Sequence, residues 1–222
     1  MRAALIVLQK ELLLEWRQRA RISGLFFFAL AVVVMVAFAS PTEGILKQSA
    51  GGTLWIALLL ASTRSLDQSY VVEMENGALE GLLLWPVDGV SLFFGKALAN
   101  MAVLIIVAVA VTPLLIAMYD APLKGNLWLG PLFLVLGTAA LAAPGTLYGL
   151  ITAQSRGSSV LLPMLLFPLV IPAILAAAKG TTLVMHGDAM GQAWSWLGLL
   201  LAFAILHWSL SGLFFAQILE DG

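Results

Sequence analysis

The sequence predicts an all-α integral membrane protein: six transmembrane helices, an interfacial helix at the amino terminus, and a short cytoplasmic helix between spans two and three. Three observations predict it. The 222-residue chain is 61% hydrophobic and only 10% charged, with a mean hydropathy of +1.01, whereas a soluble domain carries roughly 25% charged residues. Charge-free runs cover 22–42, 48–63, 97–119, 125–155, 157–178 and 189–219. The cations cluster on one side of those runs. Because a helix needs ~20 apolar residues to cross ~30 Å of hydrocarbon, five runs span easily. The second is marginal, and must borrow flanking residues or sit short and tilted. Helices close their backbone hydrogen bonds within lipid, so residues 1–222 form one transmembrane domain.

The amino-terminal stretch 1–21 places Leu5, Leu8, Leu12 and Trp16 near helical spacing, with Gln9, Lys10, Glu15 and Arg17 between them. This predicts a helix in the membrane interface, basic residues near headgroups, rather than one packed on the bundle. Basic residues, an apolar run and Ala37–Ser40 resemble a cleavable leader. The long charged lead-in and the repeated spans that follow argue against cleavage.

Span one enters at Arg21, and an outer loop follows with Pro41, Glu43, Gly44 and Lys47; span two ends at Arg64. Span three carries Pro113, expected to kink its outer end, and span four begins near Pro131. Ala143-Pro144-Gly145 is expected to interrupt span four, where Gly145 and Gly149 form a G-x-x-x-G face for close helix approach. Span five holds Pro163, Pro168 and Pro172, which predict a bent or partly unwound helix, either pathway-lining or static. Span six contains His207, an ionisable residue deep in the membrane and so a candidate pathway or helix-packing residue.

With an even number of spans both termini share a side. Arg2, Lys10, Arg17, Arg19, Arg21, Arg64, Lys96 and Arg156 fall there, against Lys47, Lys124 and Lys179 opposite. The positive-inside rule makes the first side cytoplasmic. A net charge of −1 gives no reason to expect nucleic acid. The absence of Cys excludes thiolate metal sites, and no metal site is expected elsewhere.

The cytoplasmic segment 64–96 concentrates Glu73, Glu75, Glu80 and Asp88 in an otherwise apolar chain. Glycoside hydrolysis needs a cleft that so short a loop cannot enclose, and a two-metal site needs more rigid ligands. Gly89–Ala97 imitates a phosphate loop, but five residues separate Gly89 from Gly95, and Ala97 stands where Ser or Thr binds magnesium. The chain is therefore expected to be non-catalytic. Asn76-Gly77 bends the backbone, and 78–85 can then make two helical turns before Pro86, with Leu79, Leu82 and Leu83 on one face and Glu73, Asn76 and Glu80 on another. Carboxylates are repelled by an anionic leaflet, so the segment reads as a protein-docking surface.

Glu75, Gly77, Leu79, Glu80, Leu83 and Pro86, followed by Gly95-Lys96, resemble the first cytoplasmic loop of ATP-binding-cassette exporter permeases. Within that group the chain is similar to the heme exporter protein B family, through "LQKELLLEWRQR", "LWIALLLASTRSLDQSY" and "LLPMLLFPLVIPAIL". Tyr70, Glu73, Gly77, Leu79 and Glu80 occupy the principal places of that family's loop, while Ala78 and Gly81 depart from it, losing two hydrogen-bonding side chains. The resemblance implies a bacterial inner membrane subunit for cytochrome c maturation, whose loop is gripped by a cytoplasmic ATPase that carries the ATP. It further implies a tryptophan-rich heme-handling membrane protein, a small single-span subunit and a periplasmic heme chaperone as partners, in addition to the lipid bilayer. Heme is then cargo of the complex, and no cofactor is assigned to this chain. An exporter of lipid, glycan or drug, or a membrane scaffold without transport, shares the same architecture.

Overall fold

A computed structural model describes residues 2–17, 19–75, 88–154 and 161–221, and among these every regular element is helical. They are α1 (Arg2–Arg17), α2 (Arg19–Ala39), α3 (Glu43–Glu75), α4 (Gly89–Tyr119), α5 (Leu129–Gln154), α6 (Leu161–His186) and α7 (Ala193–Asp221). Six of them, α2 to α7, are long and apolar enough to cross a membrane. The predicted fold class is the one observed.

The marginal second span borrows flanking residues. Residues 43–47, expected in a loop, already belong to α3, whose first turn is capped by Thr42 through its carbonyl, 3.1 Å from the Leu46 N–H. At its other end α3 does not stop at Arg64 but continues helically to Glu75. Span four is likewise uninterrupted, since α5 runs straight through Pro144. Pro144 deprives the Ala140 carbonyl of its helical donor, and one residue earlier the Ala139 carbonyl accepts from the Trp208 indole N–H at 3.0 Å. Nor is span five unwound. Pro163 sits in the first turn of α6, and Pro168 and Pro172 lie inside a helix that is continuous to His186.

Helix α5 is the centre of the bundle, packed against α3, α4, α6 and α7. Of its apolar stretch 72% is buried, against 17% for α2, which leans on α3, α4 and, to a small extent, α1. Close approach there is set by small residues. Gly137 on α5 receives the Trp55 ring of α3, Gly180 on α6 receives Phe133, and Gly145 receives Leu66. Without water in the bilayer core, polar tips need internal partners. Trp55 Nε1 donates to Thr181 Oγ1 at 2.9 Å, Tyr119 Oη to the Val33 carbonyl at 2.9 Å, and Asn100 Nδ2 to Thr146 Oγ1 at 3.0 Å. Phe27, Met35, Phe38 and Ile171 face outward, as lipid-facing side chains do. At the end remote from α1, the exposed Trp128 and Trp194 suit the membrane–water boundary.

Candidate functional site

The acidic segment leaves the bundle from α3 and returns through α4, and its two roots define the site. Helix α3 has 33 residues, about 50 Å at ~1.5 Å per residue. Its apolar portion ends at Leu66, so residues 67–75 carry the helix roughly 13 Å further. Tyr70, Glu73 and Glu75 ride on this extension. Gly77, Leu79, Glu80, Leu83 and Pro86 lie outside the described residues.

The returning root is a capped helix start. Asp88, in extended conformation, accepts from the Ser91 N–H at 3.1 Å as the N-cap of α4. The Ser91 hydroxyl and N–H hold its carboxyl below the usual range, slightly opposed by burial. Replacing Asp88 with Ala should cost about 1 kcal/mol of helix-start stability, seen as roughly fivefold faster amide exchange at Ser91 and Leu92. A depressed folded pKa means that the cap is fully present above the ordinary carboxylate range and lost as pH falls through the folded value. Acid should therefore reproduce the substitution.

Helix α1 packs directly on the α4 root and is linked to the α3 root through Arg21 of α2. Val7, Glu11 and Glu15 form one buried stripe at successive four-residue steps, whereas Leu5, Ile6 and Leu13 are about 60% exposed (57%, 61% and 60%). The interfacial reading had pointed the polar residues toward headgroups; instead both carboxylates turn inward and the leucines outward. Helix α1 is thus packed on the bundle, and its outward apolar face is of the kind that suits the headgroup boundary. Val7 fits against Gly95 of α4, where an added Cβ would come within 2.6 Å of Val7 Cβ and 3.0 Å of the Ala4 carbonyl oxygen.

Beside that contact Glu11 Oε1 lies 3.4 Å from Lys96 Nζ and 3.3 Å from Lys10 Nζ. Burial alone would push the Glu11 carboxyl up, but Lys96 and Lys10 together hold it below its usual range. One turn on, Glu15 Oε1 pairs with Arg21 Nη1 at 2.5 Å. Arg21 Nη2 in turn donates to the Ser65 carbonyl and, at 3.2 Å, to Ser65 Oγ on α3. Burial raises the Glu15 carboxyl; Arg21 opposes this without cancelling it, and the nearby Glu11 charge adds to it. Glu15, Arg21 and Lys96 were read from the sequence as a polar helix position, a span entry and part of a loop motif, Glu11 and Ser65 were left aside, and the five were not connected. The available signal was two carboxylates at four-residue spacing with Val7 on the same face.

The other predicted residues that the structure describes, and His186 in addition, make contacts within the chain. Gly145 is the contact point for Leu66, and Gly149 is buried one turn away. His207 Nδ1 donates to the Phe203 carbonyl of its own helix at 2.9 Å, and its ring stacks on Phe203 with centroids 3.8 Å apart. His186 Nε2 donates to the Lys47 carbonyl at 3.0 Å. Among the described residues no three His, Asp or Glu side chains gather as a metal site would require.

A single bundle of long apolar helices, with an amphipathic helix clamped on at one end, defines a multi-pass membrane protein. The profile of the CcmB protein family matches residues 2–221, and the chain belongs to that family. It is similar to heme exporter protein B of Rhodobacter capsulatus, at 33% identity over 70% of this chain and 71% of that protein. The protein of the same name from Paracoccus denitrificans is 31% identical over 76% and 79% of the two chains. That from Pseudomonas aeruginosa is 27% identical over 90% of each.

Proposed function

We propose that this chain is the membrane subunit of an ATP-binding-cassette heme-export complex serving cytochrome c maturation, and that the segment between α3 and α4 is where the complex's ATPase docks. The observation that carries the reading is the family match over residues 2–221, together with relatives named heme exporter protein B along most of their length. The cation distribution supports an orientation with both termini and the acidic segment in the cytoplasm of a bacterial inner membrane. The α3 extension supports docking, because it carries Tyr70, Glu73 and Glu75 past the apolar zone.

ATP hydrolysis belongs to the separate subunit. The phosphate-loop-like stretch of this chain, Gly89–Ala97, is the opening of a transmembrane helix rather than a strand–loop–helix turn. The cycle on the ATPase drives either heme export or release of the heme-loaded periplasmic chaperone. The tryptophan-rich heme-handling protein and the small single-span subunit complete the assembly.

Charge reversal on the segment tests the reading. Glu80→Lys should reduce ATPase co-purification from detergent at least tenfold while membrane insertion stays unchanged. Full retention of the ATPase would remove the docking role from the segment.

A further inference from the structure

The two roots of the acidic segment belong to different helices, and α1 carries a buried link to each. Glu15 pairs with Arg21 of α2, whose guanidinium donates to Ser65 on α3, and Glu11 reaches α4 directly at Lys96. Both links sit on one stripe with Val7, whose contact at Gly95 leaves no room for a Cβ between the helices. Glu11, Glu15 and Lys96 are each at least nine-tenths buried. Ion pairs this desolvated are poor sources of stability, but they fix geometry, because any other register strands a charge. Hydrophobic contacts alone would let α1 slide or roll.

We propose that α1, acting with Arg21 of α2, is a brace that joins the α3 and α4 roots into one rigid unit, with Glu11 and Glu15 as positioning residues for energy transfer. On the docking reading, on which this proposal rests, a force applied to the segment would otherwise be resisted at the roots only by the packing of α2, α3 and α4 on one another. With the brace in place it moves α3 and α4 together, and through them α5, against which both pack.

The chain has no cysteine, so spin labels can be placed at Gln68→Cys on the α3 extension and Leu98→Cys on the lipid-facing side of α4. In the purified chain, the distance distribution between these labels should be narrow, and at least twofold broader when Glu15→Gln and Glu11→Gln are added. In the whole complex, the same Gln substitutions should lower cytochrome c yield at least fivefold, with ATPase co-purification and ATP turnover within twofold of the unsubstituted complex. The exchange pair Glu11→Lys with Lys96→Glu should recover most of the yield that either single change loses, which a merely space-filling role would not produce. Unchanged distances overturn the brace, as does full cytochrome yield despite broadened distances. If the unsubstituted chain retains no ATPase, the docking reading falls instead, and the label distances still decide whether α1 holds the roots together.

Discussion

Replacing Lys96 with Met is expected to destabilise the α1 end of the bundle by about 3–5 kcal/mol, because it leaves the Glu11 carboxylate buried without its inner partner. Lys96 is 3% exposed and Glu11 7%, so water cannot take over the vacated role. Lys10 also approaches Glu11, but its side chain is 40% exposed and its help is weakened by solvent screening. That places the cost at the lower end of the range, or about 6–12 °C in the melting temperature of the detergent-purified chain. Replacing both partners, Lys96→Met with Glu11→Met, should return most of the loss, since an apolar pair of similar volume needs no compensation. A double variant no more stable than Lys96→Met alone would show that the ion pair is not the source of the effect.

The same substitution should invert a pH dependence. In the native chain the Glu11 carboxyl is held below its usual range, so its contribution is present above the ordinary carboxylate pKa and lost as pH falls through the folded value. Without Lys96, burial, the largest single influence on Glu11, is opposed by the half-exposed Lys10 alone, and the folded pKa is expected to rise. The carboxyl then favours the folded state at acid pH, and that contribution disappears as pH rises. Melting temperatures at pH 4.5 and 7.5 should thus differ in opposite directions for the Glu11 term in the two proteins.

The second large effect is expected in the bundle's centre. A Cβ at Gly137 would overlap the Trp55 ring, and Trp55 is fully buried with its N–H committed to Thr181. The indole is rigid and has nowhere to swing, so Gly137→Ala combines overpacking of about 1–3 kcal/mol with a lost buried hydrogen bond of about 1–3 kcal/mol. Gly180→Ala should behave similarly against Phe133. Gly198→Ala is the contrast: nothing lies near its Cβ position, so it should be neutral or slightly stabilising. Trp55→Leu, which vacates the overlapped space, should cost less in the Gly137→Ala background than alone. Simple additivity would mean that the two positions do not meet.

These sites differ in how legible they were. The spans could be read directly, because each is a property of one continuous stretch: enough apolar residues to cross the hydrocarbon, bounded by charge. The prolines misled. Pro144 suggested an interruption and Pro168 and Pro172 a bent or partly unwound helix, yet α5 and α6 stay helical through them. Gly145 was recognisable as a close-approach position, but its partner Leu66 was not. Glu15 read as a polar residue of an interfacial helix, and the links of this stripe to the spans were hidden because they are remote in the chain: Lys96 stands 85 positions from Glu11, and Ser65 stands 44 from Arg21.

The sequence by itself determined the class, the six crossings, the uneven distribution of cations and the family likeness, all of which depend on local composition and on motifs. Only the tertiary structure decided which face of α1 turns inward, how far α3 extends beyond the apolar zone, and that α1 is tied to α4 at Lys96 and, through Arg21 of α2, to α3. The physical reason is the range of the interactions. Transfer of a stretch into lipid is settled residue by residue along that stretch, whereas a buried charge is tolerable only opposite a specific partner, and that partner is chosen by the packing of helices distant in the chain.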